Sequence, residues 1–362
     1  MGKYTFEQDF EGWKEFSALP LHERLPLFFR EGRIYDVLFS QQFNRAFLDA
    51  LFVLTNRIRR IAKSREGMLW LHGLHAHQRA MLYFVQPSTR TFLSFLNACH
   101  ILGFHTSEIR DPQTSSEIKG ESPEDSIRTF SSYVDLIIMR HPQEGFAEKT
   151  AWLLNVFSDR PVPVINAGSG RDQHPTQALL DVYTLQRSFE DRGGIDGKVI
   201  AMVGDLKRGR TVRSLSYLMK NYRDVRILYA APPAFQIGED IREFLRSQGI
   251  PFEERDSLDA VLPEADAVYM TRIQDEHDVQ GESQSEYADF SLRREHLQRM
   301  KPTAVIMHPL PRRGEIDVMV DKDPRAMYWR QERNGMWTRA ALISMIFGTD
   351  KTILDEGERF LG

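Results

Sequence analysis

Short, unbroken apolar runs alternate along this chain with longer segments whose apolar residues recur at helical spacing. Residues 81–85 (MLYFV) form one such run and predict a buried strand. Pro87 breaks it, and Phe92, Phe95, Leu96 and Cys99 then follow at the spacing of one helix face. The pattern returns downstream. YVDLIIMR predicts a strand ending at Arg140 and His141, and residues 162–165 predict another, followed by a helix over 175–188. Residues 198–203, VRILYAAP and ADAVYMTRIQ predict further strands, with an amphipathic helix near 241–248. Such alternation predicts parallel sheets packed by helices. Before the first strand, Phe43, Phe47, Leu51, Leu54, Ile58 and Ile61 predict an amphipathic helix over 41–63; a final helix is expected over 335–347. The Gly-rich stretch EDRGGIDGK marks the domain change.

Chemistry-bearing residues gather where strands hand over to helices. Ser88, Thr89, Arg90 and Thr91 sit at one handover, where unpaired helix N–H groups, the helix dipole, hydroxyls and a guanidinium suit a phosphate. A Ser/Thr N-cap with an incidental arginine is the plainer alternative. Arg140 and His141 end a buried strand, the end at which ligands collect in open α/β sheets. His174 and Pro175 open the 175–188 helix, where the dipole opposes protonation of an imidazole and favours its use as a neutral donor. His72, His75 and His77 fall in a stretch that reads as a turn entering the first strand, without acidic or Cys partners, so surface chemistry is expected there rather than a metal. The basic end of the 41–63 helix, RIRRIAKSR, is accounted for by favourable cations at a helix C-terminus. Gly204 and Gly209 do not make the dinucleotide fingerprint, and no phosphate loop of the Walker type is present.

Bulk composition narrows the class. The 362 residues exceed one ordinary core, so two domains are expected. A net charge of −4 supplies no general attraction to nucleic acid or an anionic membrane. Cys99 is the one cysteine, which excludes an internal disulfide, and its place in an apolar helix face suggests packing. The first 16 residues carry charges throughout, unlike a signal peptide, and no apolar run reaches membrane-spanning length, so a cytoplasmic protein is expected. Phe6 stands where a myristoylation pattern wants Ser or Thr, so Gly2 is not read as a lipid site. Residues 1–38 mix aromatics with charges and read as an N-terminal extension packed onto something.

The S-T-R-T segment after a strand, the H-P-T-Q segment opening a helix after N-A-G, the T-R-I-Q segment and the H-P-L-P segment at 308–311 together resemble the aspartate and ornithine carbamoyltransferases, in the same order. The resemblance covers roughly residues 41–350. It implies two doubly wound parallel-sheet domains joined by helices: a carbamoyl phosphate domain over 39–185 that includes a C-terminal helix from 335–362 packing back on it, and an amino-acid domain over 190–334. H-P-L-P, where ornithine enzymes typically carry H-C-L-P, together with a missing S-M-G, points to aspartate as acceptor. The reaction implied is carbamoyl phosphate plus L-aspartate giving N-carbamoyl-L-aspartate and phosphate, the committed step of pyrimidine synthesis, with no cofactor and no metal.

By the same resemblance Ser88, Thr89, Arg90 and Thr91 hold the phosphate, while Thr91, Arg140 and His174 face the carbonyl oxygen and Gln177 the carbamoyl NH2. Arg210, Arg272, Gln274 and Lys119 hold the aspartate carboxylates, and the Pro309 and Leu310 backbone completes the pocket, with a cis Leu310–Pro311 bond. Ser115 and Lys119 lie on the loop that reaches a neighbouring subunit's active site, which implies a homotrimer; a regulatory or dihydroorotase partner chain is compatible with this. Two departures stand out: Phe92 replaces a usual second arginine, and Ser169 replaces a usual aspartate in the loop before His174. The competing readings are a transcarbamoylase for another amino acid, such as ornithine, and a non-catalytic paralogue serving as a partner subunit.

Overall fold

A computed structural model of the chain describes residues 12–111, 120–157, 161–170, 173–272 and 288–361. Backbone contacts divide the chain into two compact units. The first comprises Met1–Gln42, Ala46–Thr176 and Met336–Gly362, and the second Phe43–Arg45 and Gln177–Gly335.

In the first unit, a two-residue hairpin pairs β1 (Phe29–Arg30) with β2 (Arg33–Ile34), antiparallel. The main sheet holds β3 (Arg79–Tyr83), β4 (His105–Ile109), β5 (Leu136–Met139) and β6 (Val164–Asn166), all parallel, in the order β4-β3-β5-β6. Every residue of β5 and β6 is buried, as expected of strands covered on both faces. The chain leaves β3 toward one side for β4 and returns to the other for β5, so the order reverses between β3 and β5. Crevices for ligands form at such a switch point, beyond the carboxyl ends of the strands. Residues 12–35 pack on this unit: Phe28 lies in its core, and Trp13 and Phe16 lie against Trp152. The C-terminal segment packs here too, with Arg339 donating to the Ser94 hydroxyl at 2.6 Å and lying over the Phe95 ring.

The second unit contains β7 (Val199–Val203), β8 (Arg226–Ala230), β9 (Phe252–Arg255), β10 (Ala267–Met270) and β11 (Val305–Met307), parallel in the order β11-β10-β7-β8-β9. Here the reversal falls between β7 and β10. Gly204, just past β7, takes φ +114°, and a Cβ there would stand 2.5 Å from the Thr271 carbonyl oxygen just past β10. Only glycine allows the two strand ends so close.

The expected α/β architecture with parallel sheets and a returning C-terminal helix is the one observed. Three local expectations need correction. The final helix is Tyr328–Ile346, starting seven residues before the expected 335. Its first turns carry Gln331 and Asn334, buried polar residues that are hydrogen-bonded and therefore leave no apolar signature. His72 belongs to a helix, Arg65–Gly73, capped by the Ser64 hydroxyl accepting from Gly67 N–H at 2.9 Å. The polar strand β9 has no apolar run to announce it.

Candidate functional site

The helix after β3 is Thr89–Leu102, and Ser88 precedes it with an extended backbone and no side-chain capping bond. The plainer reading of Ser88 as an N-cap therefore lacks its defining contact. The connection before it is tied to the next strand, because Arg140 N–H donates to the Tyr83 carbonyl at 2.8 Å and Gln86 N–H to the Arg140 carbonyl at 3.1 Å. Thr89 and Arg90 are exposed, whereas Thr91 is buried and its hydroxyl lies 3.4 Å from His174 Nε2.

His174 immediately precedes the Pro175–Ser188 helix, and Arg140 immediately follows β5. Gly168 brings these two side chains together. It takes φ +96°, and a Cβ on it would lie 2.7 Å from His174 Cδ2 and 3.1 Å from Arg140 Nη1. The loop holding Gly168 is fixed from several sides. The N–H groups of Gly168 and Ser169 donate to Asn166 Oδ1 at 2.9 and 2.8 Å, and the Ser169 hydroxyl accepts from His141 N–H at 3.0 Å. Ser169 thus accepts the bond itself, and no charge is needed there. His141 is stacked beside Tyr83 and packed on Phe146, and burial pushes its imidazole down to about 4. Gln143 N–H donates to its Nδ1 at 3.1 Å, so it is a neutral structural ring.

Phe92 is buried against Phe84, edge to face, and the Arg110 guanidinium lies over its ring at 4.4 Å from the centroid. A cation therefore stands beside this position although the side chain at 92 is apolar.

In the second unit, Arg210 opens the Arg210–Leu218 helix after β7, Arg272 follows β10, and Pro309 and Leu310 follow β11. These four residues sit beyond the carboxyl ends of three adjacent strands. Leu310 holds φ +46° before a cis bond to Pro311. Its N–H donates to Nδ1 of the buried His308 at 2.7 Å, and His308 Nε2 lies 2.7 Å from Glu315 Oε1. His308 therefore carries its proton on Nε2 and donates a hydrogen bond to the carboxylate. Gln177, in the first helical turn, donates from Nε2 to Asp181 Oδ1 at 2.9 Å.

Sequence reasoning missed Asp181. It is fully buried and also accepts from Gln331 Nε2 at 2.6 Å and the Tyr269 hydroxyl at 2.8 Å. Burial pushes its carboxyl up to about 7, against the pull of those three donors. Tyr269 further bonds the side chain of Thr211, next to Arg210. One signal was present: an aspartate interrupting the apolar run ALLDV at 178–182, four residues after a glutamine.

Ser115, Lys119 and Gln274 lie outside the described residues. His72, His75 and His77 do not form a metal group: His72 Nδ1 lies 2.8 Å from the His100 carbonyl, and the buried His75 ring contacts Gln78 and Thr349 and stacks on Phe104. Among the described residues no three His, Cys, Asp or Glu side chains are arranged around a common point, and no helix is long and apolar enough to cross a membrane.

Both halves of the chain match known proteins. Residues 36–187 match the carbamoyl-P binding domain of aspartate/ornithine carbamoyltransferase, and residues 196–346 match its Asp/Orn binding domain. Aspartate carbamoyltransferase 1, chloroplastic, of Pisum sativum is 41% identical over 90% of this chain and 82% of its own. Among solved structures, the catalytic subunit of M. Jannaschii aspartate transcarbamoylase superposes with a TM-score of 0.76 at 34% identity, covering 88% of this chain and 99% of that one. The Trypanosoma cruzi aspartate transcarbamoylase in complex with carbamoyl phosphate and aspartate gives 0.75 at 34% identity, covering 86% and 96%. The chain belongs to the aspartate/ornithine carbamoyltransferase family.

Proposed function

We propose that this chain transfers the carbamoyl group of carbamoyl phosphate to the amine of L-aspartate, releasing phosphate and N-carbamoyl-L-aspartate for pyrimidine synthesis. The observation that carries the reading is that the buried Arg140 and His174 side chains meet at Gly168, with the buried Thr91 hydroxyl 3.4 Å from His174 Nε2, within a chain of this family. Buried donors aimed at one point stabilise the oxyanion that forms when the amine attacks the carbonyl carbon, and they do so without reorganising during the reaction. Ser88, Thr89, Arg90 and Thr91 hold the phosphate at the helix N-terminus. Gln177 takes the carbamoyl NH2. Arg210 and Arg272, with Gln274 and Lys119, hold the two carboxylates of aspartate, and the Pro309 and Leu310 backbone lines the same pocket. The residues supply orientation and charge, which is what a direct amine attack with phosphate as leaving group requires.

In this reading Ser115 and Lys119 act in the active site of a neighbouring copy, so the working form is a homotrimer. Sedimentation should give three times the chain mass of 42.0 kDa. The decisive assay is carbamoyl phosphate-dependent phosphate release with L-aspartate, with L-ornithine and with no acceptor. Release with aspartate alone, lost in Arg272→Ala, is the expected result. Turnover with ornithine would reassign the acceptor, and a folded protein inert with both would reassign the chain to a non-catalytic role.

A further inference from the structure

A buried chain of hydrogen bonds runs through the second unit, and the direction of each bond is fixed. The main-chain N–H of His308 can only donate, and it donates to Gln331 Oε1 at 2.9 Å. Gln331 must then turn its amide nitrogen to Asp181, where Nε2 lies 2.6 Å from Oδ1. That same oxygen accepts from Gln177 Nε2, and Oδ2 accepts from Tyr269. An ionised carboxylate only accepts, so the Gln177 amide has its nitrogen held by Asp181 and its carbonyl oxygen turned away from it. At the other end, His308 receives the Leu310 N–H, at a residue whose positive φ needs an external hold.

We propose that Asp181 is a positioning residue for carbamoyl transfer: it orients the Gln177 amide so that Oε1 accepts from the carbamoyl NH2, and through Gln331 and His308 it ties that amide to the Leu310 backbone. The inference rests on the assignment of Gln177 to the carbamoyl group. If Asp181 were absent, the Gln177 side chain would lose the acceptor that selects one of its two amide orientations. A wrongly turned amide presents NH2 to NH2. The carbamoyl donor would then bind weakly and out of line, while packing around the site persisted.

The test is steady-state kinetics at pH 8 on purified full-length variants, varying carbamoyl phosphate at saturating aspartate. Asp181→Leu should raise the KM for carbamoyl phosphate about tenfold or more, the scale of a lost hydrogen bond to a charged group. Asp181→Asn should restore it to within about threefold. Its Oδ1 can still accept from both glutamines, and its Nδ2 can donate to the Tyr269 hydroxyl oxygen. Gln177→Ala should raise the same KM, and adding Asp181→Leu to it should cost little more. If Gln177→Ala is impaired but Asp181→Leu is not, or if their losses multiply, the Asp181 role is overturned and the Gln177 assignment stands. A normal Gln177→Ala enzyme overturns the Gln177 assignment itself. Should Asp181→Leu fail to fold, Asp181→Ala carries the same comparison without added bulk.

Discussion

At the scale of single residues, Gly168 lies against the two side chains that face the carbonyl oxygen in the proposed reaction. Its missing side chain lets the Arg140 guanidinium and the His174 ring approach, and its left-handed backbone aims the loop between them. Gly168→Ala should therefore keep the fold and lose about a hundredfold in kcat, since a displacement near 1 Å at a reacting centre costs roughly that much. Steady-state kinetics beside an unchanged circular dichroism spectrum checks this. Thr91, Arg140 and His174 could be picked out from the sequence because each falls at a break in periodicity, at a strand end or helix start. Asp181 could not be placed in the same way. Its partners Tyr269 and Gln331 are 88 and 150 residues distant, and no pattern along the chain encodes which way an amide turns.

Elements are held by polar staples as well as by apolar faces. Asp36 is fully buried; its Oδ1 accepts from Val164 N–H of β6 at 2.8 Å and its Oδ2 from Asn155 at 2.6 Å, with Asn155 in turn receiving Arg30 at 2.8 Å. Burial pushes the Asp36 carboxyl from an ordinary value of 3.8 up to about 7. Between those values the folded chain keeps a proton that the unfolded chain has released. The stabilising contribution is therefore full below about pH 4 and lost as pH rises through about 7. Asp181 contributes with the same sign. Asp36→Asn should remove its share of that decline, seen as a flatter dependence of the urea midpoint on pH between 4 and 8. Strands made of unbroken apolar runs, such as β5 and β8, could be read from the sequence because burial on both faces leaves no other composition. Two of the edge strands differ: β4 and β9 carry polar residues toward solvent, and β9 left no trace in the hydrophobic pattern.

Taken whole, the chain places its candidate site residues where each sheet reverses its strand order, after β3 and β5 in one unit and after β7 and β10 in the other. The number and kind of layers followed from the βα alternation. That the N-terminal aromatics pack was legible from their number, but not onto what, because Trp13, Phe16 and Phe28 find their partners only in three dimensions. Cys99 is the chain's only cysteine; it is wholly buried in the helix that begins beside Ser88, and burial pushes its thiol up to about 12. The native protein should consequently be silent toward Ellman's reagent, and any labelling should report the opening of that helix alone. Carbamoyl phosphate or inorganic phosphate bound at the helix start should slow labelling in proportion to occupancy. A labelling rate indifferent to either anion would place phosphate elsewhere. The lone thiol is thus a built-in clock for the proposed phosphate site, readable without a single substitution.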